Sequence, residues 1–221
     1  MEIVLIRHGQ ASFGARDYDK LSALGHAQAK ALGGVLKELD KKPDAAFVGA
    51  QVRHKETFAQ IAGAIGLDPH RAIIHEGFNE FPFDGLINAR FKNEPLPTGA
   101  KDDRGAYFRM LKHTVLDWQE GRIDQPPEHW SDFVARTDAA LKAMRESGAE
   151  RVIAITSGGP ISQIVREALG LPPHMMIELQ LQMKNCAMSR LIAGRSSVKV
   201  HSFNETPHIN SRDTAHLATY S

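Results

Sequence analysis

Two unbroken apolar runs constrain the fold of this chain more than any other feature of its sequence. The runs at 3–6 and 152–155 contain no alternating polar residues, which is typical of strands buried on both faces of a parallel sheet. A segment with the apolar spacing of a helix follows each run. The sequence therefore predicts a sheet with helices packed on both of its faces.

Turn and capping residues extend this pattern along the chain. Ser22 is the predicted N-cap of the first helix, and Gly66 and Gly170 are predicted to end two later helices. Pro160 suits the first turn of a helix, where its missing N–H costs nothing. Further strands are predicted at 45–48, 191–193 and 198–203. The fold class is thus α/β, a three-layer α/β/α sandwich around a mainly parallel sheet.

One segment breaks the alternation of strands and helices. Residues 76–125 are rich in Pro, Gly and charge in their first part and have helical spacing in their second. We interpret this segment as a lid-like insertion within a single domain that spans 1–221. Phe108 and Trp118, on the predicted helix of the insertion, could serve a pocket or a homodimer interface.

Composition excludes several classes of protein. A chain of 221 residues buries enough surface to fold without a disulfide or a structural metal, and its single Cys186 excludes an internal disulfide framework. A net charge of +1 gives no electrostatic reason to bind nucleic acid or an anionic membrane. The longest N-terminal apolar run is too short for a signal peptide or a membrane span. These features predict a cytoplasmic protein.

Polar residues follow the two apolar strands where a ligand would bind. Arg7-His8-Gly9 comes after the first strand, and Ser157-Gly158 comes after the later one and opens a helix. Ligands of parallel sheets bind beyond the carboxyl ends of the strands, and helix N-termini attract anions. Arg53, at another strand–helix connection, could add a guanidinium that binds two phosphate oxygens. We therefore predict a phosphate site built from these three segments.

The tripeptide Arg7-His8-Gly9, directly after an N-terminal apolar strand, resembles the signature of the histidine phosphatase superfamily, also called phosphoglycerate-mutase-like. Other segments resemble the same family over nearly the whole chain: 21–29, Val52-Arg53 with Thr57, Asn185-Cys186 and 203–208. The resemblance implies a phosphoglycerate-mutase-like fold, a small phosphorylated substrate, and no metal or other cofactor.

The resemblance also implies a role for individual residues. His8 would attack phosphorus and carry a transient phosphoryl group, and Arg7 and Arg53 would neutralise the phosphoryl oxygens. Glu80 would protonate the leaving oxygen, because flanking Phe side chains raise the pKa of a carboxyl by desolvation. Asp84 is the alternative acid.

This chain departs from the family pattern at two positions. The second histidine of the family is replaced by Ser157, and an asparagine that often follows the Arg-His-Gly tripeptide is replaced by Gly14. Serine donates one hydrogen bond to a phosphate oxygen but brings no charge. The loss of a charge-assisted contact costs about 1.5–3 kcal/mol, or about 10–150-fold in rate. The expected phosphate pocket is therefore depleted in positive charge.

Three functions remain open on this reading. The first is a metal-independent phosphomonoester phosphatase that acts through a phosphohistidine at His8, with activity weakened by Ser157. The second is a non-catalytic module that binds a phosphorylated ligand. The third is a phosphoglycerate-type mutase, which the depleted pocket disfavours. A serine hydrolase is disfavoured because the turn lacks a glycine two residues before Ser157, and the sequence has no Gly-x-Gly-x-x-Gly or His-Glu-x-x-His motif.

Overall fold

The structure of the protein is a computed structural model, which describes residues 1–12, 19–39, 42–100 and 102–220. Position 14 lies outside the described residues. The strands of the described chain are β1 Glu2–Arg7, β2 Ala45–Val48, β3 Ile73–Ile74, β4 Arg151–Thr156, β5 Met188–Ala193 and β6 Val198–Glu205.

Helices separate most of these strands. The described residues form α1 Ala23–Glu38, α2 Val52–Ile65, α3 Phe83–Arg90, α4 Arg104–Gln119, α5 Trp130–Arg145, α6 Gly158–Ala168 and α7 Met175–Leu181. Ser22 is the N-cap of α1, and its hydroxyl accepts the Gly25 N–H at 3.0 Å. Gly66 follows α2 with a φ of 68°, a left-handed conformation that glycine adopts without strain. The predicted caps of these two helices are confirmed.

The six strands form one sheet in the order β3-β2-β4-β1-β5-β6. The first four strands in this order are parallel, and β5 is antiparallel to both of its neighbours. The sheet is therefore mainly parallel, as predicted. In the register of β1 and β4, Arg7 lies opposite Thr156, so the loops that follow these two strands begin side by side.

The two faces of the sheet carry separate layers of helices. Along β1, Ile3 and Leu5 pack on one side with residues of α5 and α6, whereas Ile6 packs on the other side with residues of α1 and α2. Because successive side chains of a strand point to opposite faces, an unbroken apolar strand supplies both layers. The three-layer α/β/α sandwich is confirmed.

The segment 76–125 contributes to a packed aromatic cluster. It contains α3, which its poor apolar pattern does not predict, as well as α4. Phe81 and Trp118 from this segment pack against Phe133 of α5. Trp118 is 2% exposed and its Nε1 donates to the Glu128 carbonyl at 2.6 Å. The predicted lid is not confirmed, and Trp118 is a core residue rather than part of a pocket or a homodimer interface.

The described residues bear on the membrane and metal predictions. No helix there is long and apolar enough to cross a membrane. The same residues contain no group of three or more His, Cys, Asp or Glu side chains placed to hold a metal ion. A cytoplasmic location and an absence of metal from the reaction remain predictions.

Candidate active site

Three strand ends bring the predicted site residues together. His8 follows β1, Arg53 lies in the first turn of α2 after β2, and Ser157 follows β4 as the N-cap of α6. The His8 N–H donates to the Thr156 carbonyl at 2.9 Å, which continues the pairing of β1 with β4 by one residue. All three side chains are buried: His8 and Arg53 are each 7% exposed and Ser157 is fully buried. The three residues therefore form a buried polar cluster at the carboxyl edge of the sheet, which we call the polar pocket.

The hydrogen bonds of His8 define its tautomer. Its Nδ1 lies 2.7 Å from the Gly9 carbonyl oxygen, so Nδ1 carries the proton and Nε2 carries the lone pair. Arg53 Nε–H donates to this Nε2 at 3.2 Å. Burial lowers the pKa of His8 well below its usual value, and the charges of Arg53 and Arg7 lower it further. His8 is thus a neutral imidazole whose lone pair faces a guanidinium.

The Arg53 guanidinium is held on its other edges as well. Its Nη1 donates to Asp19 Oδ1 at 2.8 Å, and its Nη2 donates to Gln51 Oε1 at 3.0 Å. The second oxygen of Asp19 accepts the Val52 N–H at 2.8 Å, which places a carboxylate at the N-terminus of α2. These contacts orient the guanidinium so that its Nε–H reaches His8.

Arg7 is hydrogen-bonded to carbonyl groups in the C-terminal part of the chain. Its Nη1 donates to the Met183 carbonyl and, at 2.7 Å, to the Tyr220 carbonyl. Its charge lowers the pKa of both His8 and Glu80, so it lies within electrostatic range of both groups. The C-terminal segment therefore helps to position a cation beside the pocket.

The loop after β1 is held against two helices. The Gly9 N–H donates to Thr57 Oγ1 at 3.0 Å, and the Thr57 hydroxyl donates to the Arg53 carbonyl at 2.7 Å. A Cβ at Gly9 would lie 2.5 Å from the Gly25 carbonyl oxygen, so only glycine fits between this loop and α1. Gly9 is one of the residues predicted to bind phosphate, and in the structure its N–H donates to Thr57 and holds the loop against α2.

Glu80 reaches the pocket from the loop before α3. Its Oε2 accepts the Gly159 N–H of α6 at 3.2 Å and the Gln180 Nε2 of α7 at 3.2 Å. Its own N–H donates to Gln51 Oε1 at 3.0 Å, the same oxygen that binds Arg53. Gln51 therefore links the backbone of Glu80 to the Arg53 guanidinium that faces His8.

The environment of Glu80 favours its acid form. Burial raises the pKa of this carboxyl, and the Gly159 hydrogen bond and the two arginine charges oppose that rise only in part. Asp84, the alternative acid, lies exposed in the first turn of α3. Of the two carboxyls considered from the sequence, Glu80 is the one bonded to the α6 N-terminus beside Ser157.

Gly158 and Gly159 form the first turn of α6. A Cβ at Gly158 would lie 3.1 Å from Gln180 Cγ, and a Cβ at Gly159 would lie 2.1 Å from Glu80 Oε1. Side chains at these positions would displace Glu80 or Gln180. The paired glycines thus allow a carboxyl to approach the helix N-terminus.

The sequence motifs did not single out His54 or Gln180. His54 is fully buried, its Nε2 lies 2.7 Å from Ser157 Oγ, and its ring centroid is 5.6 Å from that of His8. The available signal was its spacing, because His54 precedes Phe58 by four residues and Ile61 by seven on the buried face of α2. A histidine in phase with a helix core is a candidate for a specific buried contact.

Curated relatives of the chain carry one functional name. This chain is 28% identical over 192 residues to a 2,3-bisphosphoglycerate-dependent phosphoglycerate mutase of Methylobacterium radiotolerans. The match covers 81% of this chain and 84% of that protein. The chain is 37% identical over 91 residues to a protein of the same name from Mesorhizobium japonicum, covering 38% of this chain and 44% of that protein. The match to this second relative is thus higher in identity but spans less than half of its length.

Solved structures share the fold at lower identity. The phosphoserine phosphatase of Entamoeba histolytica in complex with phosphoserine superposes with a TM-score of 0.65 at 18% identity, covering 95% of this chain and 99% of that one. The alpha-ribazole phosphatase of Shigella flexneri superposes with a TM-score of 0.67 at 18% identity, covering 93% and 97%. At these identities the likeness establishes the fold.

A family model supplies the classification. The model described as histidine phosphatase superfamily (branch 1) matches residues 3–206, which include His8, Arg53 and Ser157. The match covers all of the sheet that positions the pocket except Glu2, the first residue of β1. By this match, the chain belongs to the histidine phosphatase superfamily (branch 1).

Proposed function

We propose that this protein is a phosphomonoester phosphatase that acts through a phosphohistidine at His8. The observation that carries the proposal is the contact of the His8 Nε2 lone pair with the Arg53 Nε–H at 3.2 Å. A phosphoryl group that enters between them would meet a neutral nucleophile and a fixed cation together. The solved phosphatases that share the fold support the same reaction class.

The proposed reaction proceeds in two displacements. The His8 Nε2 lone pair forms an N–P bond while the P–O bond to the leaving group breaks. The Nδ1–H, bonded to the Gly9 carbonyl at 2.7 Å, stabilises the positive charge of the phosphorylated ring. Water then attacks phosphorus, the N–P electron pair returns to Nε2, and inorganic phosphate is released.

Glu80 would move the proton in both steps. A carboxyl whose pKa is raised by burial retains its proton until the leaving oxygen needs it. After the first step Glu80 is a carboxylate, and it takes the proton of the attacking water in the second step. The chemistry needs no metal, because Arg7 and Arg53 supply the positive charge at the phosphoryl oxygens.

The mutase name of the relatives is the second candidate. A mutase must hold a bisphosphorylated intermediate, which requires cations for two phosphoryl groups. In this pocket Arg53 is paired with Asp19 at 2.8 Å, and Arg7 Nη1 is occupied by two carbonyls. This pairing favours hydrolysis over transfer. Mutase activity on 3-phosphoglycerate, measured with a bisphosphoglycerate primer, would reverse the preference.

The test compares the wild type with His8→Ala on 4-nitrophenyl phosphate in the presence of EDTA. We expect His8→Ala to lower kcat/KM by at least about 10³-fold, the scale on which a covalent nucleophile acts. His70→Ala, which removes an exposed imidazole, is the matched control. An acid-labile phosphoenzyme should form in the wild type and in His70→Ala, and not in His8→Ala.

Two results would contradict the proposal. Equal rates for the wild type and His8→Ala would remove His8 from the reaction. Saturable phosphate binding without any turnover by the wild type would instead favour the non-catalytic module.

A further inference from the structure

A second buried imidazole lies beside the proposed nucleophile without a role in the two displacements. His54 occupies the first turn of α2, is fully buried, and has its Nε2 2.7 Å from Ser157 Oγ. Its ring centroid lies 5.6 Å from that of His8. The carboxyl ends of β1, β2 and β4 thus bring together two imidazoles and one hydroxyl.

The backbone makes room for this imidazole at one place. A Cβ at Gly49, directly after β2, would lie 2.1 Å from His54 Nδ1 and 2.7 Å from His54 Cε1. Any side chain at 49 would therefore expel the ring from its position. The ring is also bounded by Ser157, which is fully buried. The pocket fits an imidazole from α2 only because positions 49 and 157 carry small residues.

The charges around His54 determine which group donates in its hydrogen bond. Burial and the charge of Arg53 lower the pKa of His54, a hydrogen bond with the Gly49 backbone opposes this in part, and Lys55 on the same helix lowers the pKa further. From β1 it faces the neutral His8 ring, and from α6 it faces the Ser157 hydroxyl. His54 is therefore a neutral imidazole. In the tautomer that carries its proton on Nε2, the Nε2–H donates to Ser157 Oγ at 2.7 Å, and the Ser157 hydroxyl proton is then free to donate to a bound anion.

We propose that Ser157 and His54 act as a pair: the Ser157 hydroxyl contacts the bound phosphoryl group, and His54 positions that hydroxyl and supplies a second imidazole from α2. The pair deepens the proposed function, because it assigns how the same pocket holds its phosphoryl group. His54 is a positioning residue in this scheme, since it acts through Ser157.

The experiment measures inorganic phosphate binding by calorimetry, which requires no turnover. We expect Ser157→Ala and His54→Asn each to weaken phosphate binding by about 10–100-fold, the scale of a lost charge-assisted hydrogen bond. His54→Gln should bind within about threefold of the wild type, because its amide N–H can occupy the position of Nε2. The double variant Ser157→Ala/His54→Asn should bind no more weakly than Ser157→Ala. His70→Asn is the matched control for loss of an exposed histidine.

A purely structural role of His54 predicts a different pattern. In that case His54→Asn and His54→Gln would lower the melting temperature together, and neither would weaken phosphate binding once folded. Additive losses in the double variant, or wild-type affinity in His54→Asn, would overturn the proposal. So would a wild type that does not bind phosphate.

If His54→Asn does not fold, moving the imidazole from position 54 to position 157 provides a second test. Ser157→His alone should lower the melting temperature, because His54 fills the space. Adding His54→Ala should restore both folding and phosphate binding; failure to restore binding in a folded double variant would contradict the pair. A wild type that binds phosphate through the pair but hydrolyses no phosphomonoester would refute the proposed function and leave the pair intact.

Discussion

Two buried regions of this molecule meet at Gly159 and are stabilised in different ways. On one side lies the polar pocket, in which hydrogen bonds fix each group individually, as Gly9 and Gln51 illustrate. On the other side lies the aromatic cluster, which we define as Phe81, Phe83, Trp118, Trp130 and Phe133, with ring centroids 4.1–5.5 Å apart.

This difference predicts which property a substitution in each region changes most. Hydrogen bonds depend on direction, so a change of one atom in the pocket alters chemistry more than stability. Aromatic packing depends on buried area, so truncation in the cluster alters stability more than chemistry. Two predictions test this division, and a third concerns His208, a buried polar group that belongs to neither region.

Truncation of the cluster should have the largest effect. Trp118→Ala removes a side chain that is 2% exposed together with its hydrogen bond to the Glu128 carbonyl. We expect the free energy of unfolding to fall by about 3–5 kcal/mol in urea titrations. Trp130→Ala, at a half-buried position, should lose less. Under native conditions kcat/KM should fall less than about tenfold, because the pocket has its own hydrogen bonds; a larger fall in folded protein would show that the two regions are coupled.

Substitution at the boundary should separate the two regions. The Cβ of Gly159→Ala would lie 2.1 Å from Glu80 Oε1 and 2.7 Å from Phe81 Cε1. We expect the displaced carboxyl to cost about 10²-fold in kcat for an alkyl phosphate, the scale of general-acid catalysis. The loss should be much smaller for 4-nitrophenyl phosphate, whose leaving group does not need a proton.

Two further variants calibrate that boundary test. Glu80→Gln should show the same dependence on the leaving group, because it removes the same proton. Gly63→Ala, on α2 with no atom within 4 Å of the added Cβ, should stabilise the protein by about 0.5–1 kcal/mol. If Gly159→Ala affects both substrates equally, Glu80 is not the acid.

Of the three main substitutions, that of the buried His208 should have the smallest effect. Both ring nitrogens of His208 are buried and make no hydrogen bond within the described residues, and burial lowers its pKa to about 4. Because the folded pKa is below the unfolded value near 6.5, the unfolded state binds more protons as pH falls. The stability contribution of neutral His208 is complete above about pH 6.5 and is lost as pH falls toward 4.

The measurement is the free energy of unfolding from pH 7.5 to pH 5. His208 should account for about 2 kcal/mol of the loss over this range. His208→Leu should lose about that much less unfolding free energy between pH 7.5 and pH 5 than the wild type. His70→Gln, an exposed control, should lose as much as the wild type. An unchanged slope in His208→Leu would show that His208 does not titrate as a neutral buried group. The lowered pKa values of His8 and His54 act in the same direction as that of His208, whereas the raised pKa of Glu80 acts in the opposite direction.

Local patterns predicted much of the fold. The run at 3–6 indicated a strand buried on both faces because every side chain in it is apolar. Ser22 marked a helix start through its side-chain hydroxyl, and Gly66 marked a helix end through its left-handed backbone. The helix α3 was not predicted because its eight residues present only Leu86 and Ile87 to the interior. Its formation depends on packing partners that are distant in sequence.

The sequence predicted several residues of the candidate site, but it predicted neither His54 and Gln180 nor the hydrogen bonds that connect the site. Arg7-His8-Gly9 and Arg53 are recognisable because their residue types follow strands, and strand ends converge in a parallel sheet. No local pattern placed Asp19 on Arg53 or Gln180 on Glu80. These contacts join residues 34 and 100 positions apart, and only the packing of the loops sets them.

The amino-acid sequence by itself determined the α/β alternation, the segments that carry the polar pocket and the substitution of serine at 157. The tertiary structure decided which groups touch: it placed the lone pair of His8 against Arg53, Glu80 against the N-terminus of α6, and the imidazole of His54 against Ser157. The physical reason is the separation along the chain over which each kind of interaction acts. Apolar periodicity and backbone preferences act over a few residues, whereas a hydrogen bond depends on a few tenths of an ångström between atoms that only the complete fold brings together.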